Sequence, residues 1–241
     1  MKLTTDPKMR YKAELHMHSL HSAGKDIFLD THATVENVVR ACKAKDIRIF
    51  SITDHDNLDS HKEAQYWARK LDLLFIPGCE ISTKGGDVLA YGITKPLKKD
   101  LSVREVLRVI HAQGGVAIAA HPFQLPMGCT YAMWTEDFDA VEAYHAYAVG
   151  NSITRLANRL FAQKPSVAGS DAHFLDEIGL VYTLFPQWVK DITTFKKAIQ
   201  ENDIAVGGKG IGLIRAFVRR IKEGRYKDNV NNIKLKSVMH N

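Results

Sequence analysis

A chain of 241 residues with 45% hydrophobic content can bury one substantial core and needs no second domain. It has no run of eighteen apolar residues, its opening MKLTTDPKMR lacks a signal peptide's apolar stretch, and Cys42, Cys79 and Cys129 are too scattered for a disulfide framework; a cytoplasmic protein without membrane contact is expected. The net charge of +6 is uneven, because residues 209–241 carry nine Lys or Arg against Glu223 and Asp228 (+7), leaving −1 for residues 1–208.

In chain order, YKAELHMH reads as a first strand, and Thr34 caps a helix whose Val35, Val38, Val39 and Cys42 recur at helical spacing. RIFSIT follows as a strand, then a helix through SHKEAQYWARKL, a strand LLFIPGCEIS and a strand DVLAYGI. Ser102 and Glu105 form a capping box for a helix running to about Gln113, where Gly114 and Gly115 stop it. VAIAAH, AVEAYH, SVAGSD and LVYTLF are further strands; helices run through SITRLANRLFAQ and from about Thr193 to Glu201. Short β-branched runs alternating with capped helices predict βα units around a mainly parallel sheet, with seven or eight strands to close or nearly close a barrel. In the tail, Ile211, Ile214, Phe217, Val218 and Ile221 share one helical face and Arg215, Arg219, Arg220 and Lys222 the other. That pattern predicts a basic terminal helix docked on the barrel; nucleic-acid contact is the minority reading.

Such barrels carry their chemistry where strands end, and metal-competent side chains gather at those ends. They are His16 and His18 in HMHS, Asp54 and His55 in TDHD, Glu80 in GCEIS, His121 in AAHPF, Glu142 and His145 in VEAYH, and Asp171 and His173 in GSDAH. Strand alternation puts His16 and His18 on one face. Any single histidine here is more often a hydrogen-bonded core or surface residue than a ligand; the joint occurrence of five motifs, HMHS, TDHD, GCEIS, AAHPF and GSDAH, in this order and each at a strand end, is what points to a metal site. Imidazoles with carboxylates and no cysteine suit Zn²⁺, Mn²⁺ or Fe²⁺, and Glu80 could bridge two cations.

In this order the five motifs resemble the polymerase and histidinol phosphatase (PHP) superfamily over about residues 10–185, and VEAYH with AGSDAH is similar to its predicted phosphoesterase branch. The resemblance implies one distorted seven-stranded βα barrel, TIM-barrel-like, over residues 1–208, with residues 209–241 as a basic helix and tail. It implies His16, His18, Glu80 and Asp171 around a first ion, Glu80 and His121 at a second, and His55 and His173 at a third, with Asp54 orienting a metal-bound imidazole. Two positions depart from the pattern: Ala23 stands where relatives usually carry aspartate, with Asp26 nearby, and Leu89 or Ala90 stands where a histidine often follows the bridging glutamate. One to three divalent ions per chain are therefore expected.

The implied activity is hydrolysis of a phosphate ester of a small metabolite, nucleotide or oligonucleotide end, with His145 lining the pocket or acting as general acid. The alternatives are a histidinol-phosphate type of phosphatase and a metal-stabilised accessory domain that has lost catalysis. Lys25, Lys84 and Arg155 are candidate phosphate contacts, Gln124 stands where relatives often have arginine, and Trp134 is the tryptophan placed to meet substrate. His21, His32, His61, His111 and His240 receive no role.

Overall fold

The computed structural model describes residues 10–22, 29–97, 100–124, 127–146 and 151–211. Ala23, Lys25 and Asp26 lie outside these, as does the tail from residue 212 on, so the basic helix expected there is outside the described residues. Ten strands and six α-helices run β1 (Arg10–Glu14), α1 (Val35–Ala44), β2 (Ile47–Phe50), α2 (His61–Leu71), β3 (Leu74–Phe75), β4 (Gly78–Thr83), β5 (Gly86–Tyr91), α3 (Val103–Ala112), β6 (Val116–Ala119), α4 (Ala132–Thr135), β7 (Ala140–His145), α5 (Asn151–Ala157), β8 (Ser166–Gly169), β9 (Val181–Pro186), α6 (Ile192–Gln200) and β10 (Ala205–Gly208). A short 3₁₀ turn, Leu20–Ser22, follows β1, and α5 runs on into a π-helical turn, Asn158–Ala162.

The helix starts follow their local chemistry. Thr34 Oγ1 accepts from Asn37 N, and Ser102 and Glu105 form both bonds of the predicted capping box. Asp191 and Thr194 make a second box that starts α6 one residue before the predicted position. α3 ends at Gly114, whose φ of +77° a side chain would resist.

The chain is the expected α/β fold, but the distorted seven-stranded barrel is replaced by two sheets. The strands make two five-stranded sheets, in the orders β10-β9-β1-β2-β3 and β4-β5-β6-β7-β8. Pairing is also less parallel than expected: β5 runs antiparallel to both β4 and β6, and β9 is antiparallel to both β1 and β10. Two physical causes are visible. The predicted strand LLFIPGCEIS breaks at Pro77, which has no N–H to give a ladder, so β3 pairs in one sheet and β4 in the other. β1 uses its outer edge from Arg10 to Ala13 on β9, so the two sheets meet on this side only beyond β1 and β8, through the single bridge Met17↔Ala172. A second single bridge, His55↔Glu80, links the extension of β2 to β4.

The sheets face each other across one apolar cluster that joins Ala13, Leu15 and Ile49 of the first to Leu89, Tyr91, Ile118 and Val167 of the second, with Phe195, Ala198 and Ile199 of α6 packed in. Tyr91 is fully buried and donates its hydroxyl to Leu15 O at 2.8 Å, pairing a carbonyl that neither ladder reaches. Helices α1 and α2 cover the first sheet through Val35, Val38, Val39, Ala64 and Ala68. Helices α3 and α4 cover the second through Val106, Leu107, Ile110 and Met133. Both single bridges fall among the residues singled out from the sequence. The place where regular pairing stops is the place where polar side chains gather.

Candidate metal centre

Alternation from β1 onward sends Glu14, His16 and His18 inward together, and all three are buried. Glu14 accepts from its own face: Oε1 takes His16 N and Ser170 N at 3.3 and 3.0 Å, and Oε2 takes Gly179 N at 2.8 Å. It thereby ties the backbone under His16 to the segment that carries Asp171. Burial pushes its carboxyl above the usual range despite these three donors.

The nitrogens of the two imidazoles are sorted by their neighbours. His16 Nδ1 lies 2.9 Å from Glu142 Oε1 and so carries the proton that bond needs, which turns Nε2 toward Glu80 Oε2 at 3.3 Å and Asp171 Oδ1 at 3.4 Å. His16 Nε2 is buried and makes no hydrogen bond. His18 Nδ1 meets Ser22 Oγ at 3.1 Å, leaving Nε2 at 3.3 Å from Glu80 Oε2 and 3.2 Å from Asp171 Oδ1. Ser22 gives its single proton to Asp54 Oδ1 at 3.0 Å and accepts from His55 N at 3.1 Å, so its remaining lone pair is the acceptor for His18 Nδ1–H. Asp54, expected to orient a metal-bound imidazole, reaches His18 through Ser22, and takes Ser19 N and Ser19 Oγ at 2.7 and 2.8 Å.

Four donor atoms of His16, His18, Glu80 and Asp171 thus face one point, at separations of 3.2 to 3.4 Å along the four measured edges. Donors held tetrahedrally at ~2.1 Å from a cation stand about 3.4 Å apart, so the set fits a divalent ion. Glu80 turns its other oxygen the opposite way, with Oε1 3.0 Å from His121 Nε2. Glu80, Asp87 and His121 form a second set of donors within 4.8 Å of one another, and His18, His55 and His173 a third. His18 belongs to the first and third sets, and with Nδ1 engaged by Ser22 only Nε2 is left to serve both. His173 Nδ1 lies 2.9 Å from Asp171 O and His55 Nδ1 lies 3.3 Å from Glu80 Oε2.

The backbone bends to make this convergence. His121 and Asp171 are non-glycine residues at φ of +25° and +50°, a conformation that costs about 1–3 kcal/mol and clusters at functional sites. Asp171 therefore does not continue the alternation of β8.

Electrostatics follow from packing imidazoles against carboxylates away from water. Burial alone would lower His16, but Glu142, Glu80 and Asp171 hold it well above its ordinary value; His121, opposed by burial and raised chiefly by Glu80, is pushed up to about 9. Burial would raise Glu80 and Asp171, yet His16 and its neighbours hold both well below the usual carboxylate range. Asp87, by contrast, is pushed up to about 6 by burial and by Glu80.

His145 lies at the edge of the cluster, Nε2 3.4 Å from Asp171 Oδ2, its backbone clasped by Asn151. It lines a cleft with His121, Phe123, Gln124, Glu142, Asn151 and Thr154. Neither Lys84 nor Arg155 lines that cleft: Lys84 is exposed on the β4–β5 turn and Arg155 lies over the Tyr144 ring. Trp134 neighbours Phe123 at 6.3 Å between ring centres. His61 bonds Gly78 O and His111 pairs with Asp139, both apart from the cluster. Leu89, opposite Glu80 in the β4–β5 pairing, and Ala90 are both buried in apolar clusters and offer no donor, and Asp87 is the β5 residue that contributes one to the second set. Asp87, Glu14 and Ser22 went unremarked in the sequence, and Glu142 was given no role. Only Glu14 carried a signal, its alternation with His16 and His18.

Residues 155–204 match the PHP-associated family. The chain is 30% identical to the uncharacterized protein MJ0417 of Methanocaldococcus jannaschii over 186 residues, covering 73% of this chain and 71% of that protein. Among solved structures it resembles a two-domain protein of Bacteroides vulgatus containing a predicted PHP-like metal-dependent phosphoesterase, with a TM-score of 0.61 and 18% identity over 83% of this chain and 65% of that one. It also resembles the lesion-specific endonuclease Q of Pyrococcus furiosus, with a TM-score of 0.57 and 16% identity over 80% of this chain and 56% of that one. The chain thus spans less than two thirds of either solved protein. With the five motifs brought to one face and this kinship in sequence, the chain belongs to the PHP superfamily.

Proposed function

We propose that the protein is a divalent-metal-dependent phosphoesterase whose ions are held by His16, His18, Glu80 and Asp171 and, beyond Glu80, by His121, with His55 and His173 at the outer edge. The observation that carries this reading is the spacing of the four buried donors, 3.2 to 3.4 Å, with Glu80 presenting its second oxygen to His121. Divalent ions bound there supply a water deprotonated near neutral pH and neutralise phosphate oxygens. The chain's own residues prepare the donors: Glu142 fixes the tautomer of His16, while Asp54 acting through Ser22 fixes that of His18. His145, in the cleft beside Asp171, is suited to hand a proton to the leaving oxygen. None of the described residues lining the cleft is Lys or Arg, so charge on a bound phosphate is met by the ions.

Likeness to a predicted phosphoesterase and to a lesion-specific endonuclease supports phosphate esters as the substrate class, and nucleotides or oligonucleotide ends as the first to try. The deciding experiment loads the purified chain with Mn²⁺ and offers aryl phosphates, a nucleotide panel, histidinol phosphate and short oligonucleotides. Turnover that disappears in Asp171→Asn supports the reading. Full ion loading without hydrolysis of any of them would favour the accessory-domain alternative.

A further inference from the structure

We propose that Asp87 is a direct ligand of the second ion, and that Glu80, Asp87 and His121 form an oxygen-rich position that discriminates against Mn²⁺ in favour of Zn²⁺ less than the first position does. The proposal rests on the metal-dependent reading above and extends it to a residue that the motifs do not include.

Asp87 opens β5 opposite Ser82 of β4, is 6% exposed, and its carboxylate takes a hydrogen bond from the Ser82 side chain. The backbone beneath it is pinned: its N–H donates to Met127 O at 2.8 Å, and its carbonyl accepts from Ala120 N at 3.3 Å and Cys129 Sγ at 2.8 Å. Among the described residues no Lys or Arg pairs with it, and its charged neighbours are Glu80, His121 and His55. Two carboxylates side by side in a buried setting repel each other, and a shared cation is the arrangement that satisfies both.

His121 supplies an independent pointer. It is 5% exposed, its backbone is held at φ +25°, and its Nδ1 is buried without a hydrogen-bond partner. Its other nitrogen faces Glu80 Oε1 at 3.0 Å, and a donor of Asp87 lies within 4.8 Å of donors of both. Leu89 and Ala90, further along the same strand, offer apolar side chains to the cores on either face. Two carboxylates and one imidazole form a harder donor set than the two imidazoles and two carboxylates of the first position, and hard oxygen donors suit Mn²⁺.

The test uses the full chain, stripped by chelation and titrated with Mn²⁺, with ion stoichiometry read by elemental analysis and the spin coupling of neighbouring Mn²⁺ ions read by electron paramagnetic resonance. Wild type is expected to hold at least two ions that couple through Glu80. Asp87→Ala should hold one fewer, lose the coupled signal and weaken Mn²⁺ at the affected position by about 100-fold or more, with far-ultraviolet dichroism unchanged. Asp87→His should restore the ion count and shift the preference toward Zn²⁺ by at least about 10-fold, and it carries the test should the alanine variant fail to fold. An unchanged count and coupled signal in Asp87→Ala overturns the proposal, as does a wild type saturating at one ion. Coupled ions in a wild type that hydrolyses no phosphate ester would leave Asp87 a ligand and sink only the proposed activity.

Discussion

Glu142 shows how one carboxylate can govern several donors at once. Its carboxylate fixes His16 through one oxygen and takes His121 N at 2.8 Å through the other, so it aims donors of both the first and second sets. Glu142→Gln keeps the shape but presents an amide that can donate where His16 needs an acceptor. Ion affinity should drop 10- to 100-fold, roughly the effect seen when such outer partners are changed, with little change in secondary structure by circular dichroism; equal affinity in calorimetric titration would refute the role. His18→Ala removes a donor outright and should abolish the tightest ion. The histidines were legible in the sequence because imidazole is rare and five motifs recur at strand ends. Ser22, Glu142 and Asp87 were not, because serine and carboxylates are common and their roles depend on partners 4 to 126 positions away.

Among the elements, β8 has little room at its end nearest the donors. A Cβ added at Gly169 would collide with Glu142 Oε1 and with Cβ of His16, both buried and fixed. Gly169→Ala should therefore cost about 1–3 kcal/mol of stability and weaken ion binding without altering any ligand. Thermal melts run with and without Mn²⁺ check both halves: a variant as stable and as responsive to the ion as wild type would contradict the packing argument. Removing the α3 capping box by Ser102→Ala lies far from the chemistry and should cost about 1 kcal/mol, a drop of ~2–4 °C in melting temperature, with ion affinity unchanged. Caps and helix periods were readable because they are local. The break at Pro77 could have been read from proline's missing N–H, but that β3 and β4 then join different sheets could not, because sheet partners are chosen by contacts distant in the chain.

Across the whole molecule, the raised histidines and depressed carboxylates give the chelated protein a distinctive pH response. A histidine raised on folding stabilises fully below its unfolded value of 6.5, and that contribution is lost as pH climbs through the folded value, about 9 for His121. Glu80 and Asp171, held low, contribute above their ordinary 4.5 and 3.8 and lose that contribution in acid. Asp87 at about 6 and Glu177 at about 7 are raised, so ionising them opposes folding as pH rises. Chelated protein should therefore melt highest at about pH 5–6 and distinctly lower at pH 9. Saturating Mn²⁺ should invert the slope over the same range, because each ion displaces protons that alkaline pH has already removed; parallel melting curves with and without metal would contradict this. Among the described residues no helix is long and apolar enough to cross a membrane.

Composition, helix caps and strand alternation were settled by the sequence alone, because each depends on neighbours a few residues away. So was the inventory of donors, since the imidazoles and acids at strand ends can be read one motif at a time. Tertiary structure decided which donors share a point, that two sheets joined by single bridges replace a continuous barrel, and that Asp87 brings its carboxylate to the donors of Glu80 and His121. Those outcomes turn on distances of a few ångströms between segments far apart in the chain, and no local pattern encodes them.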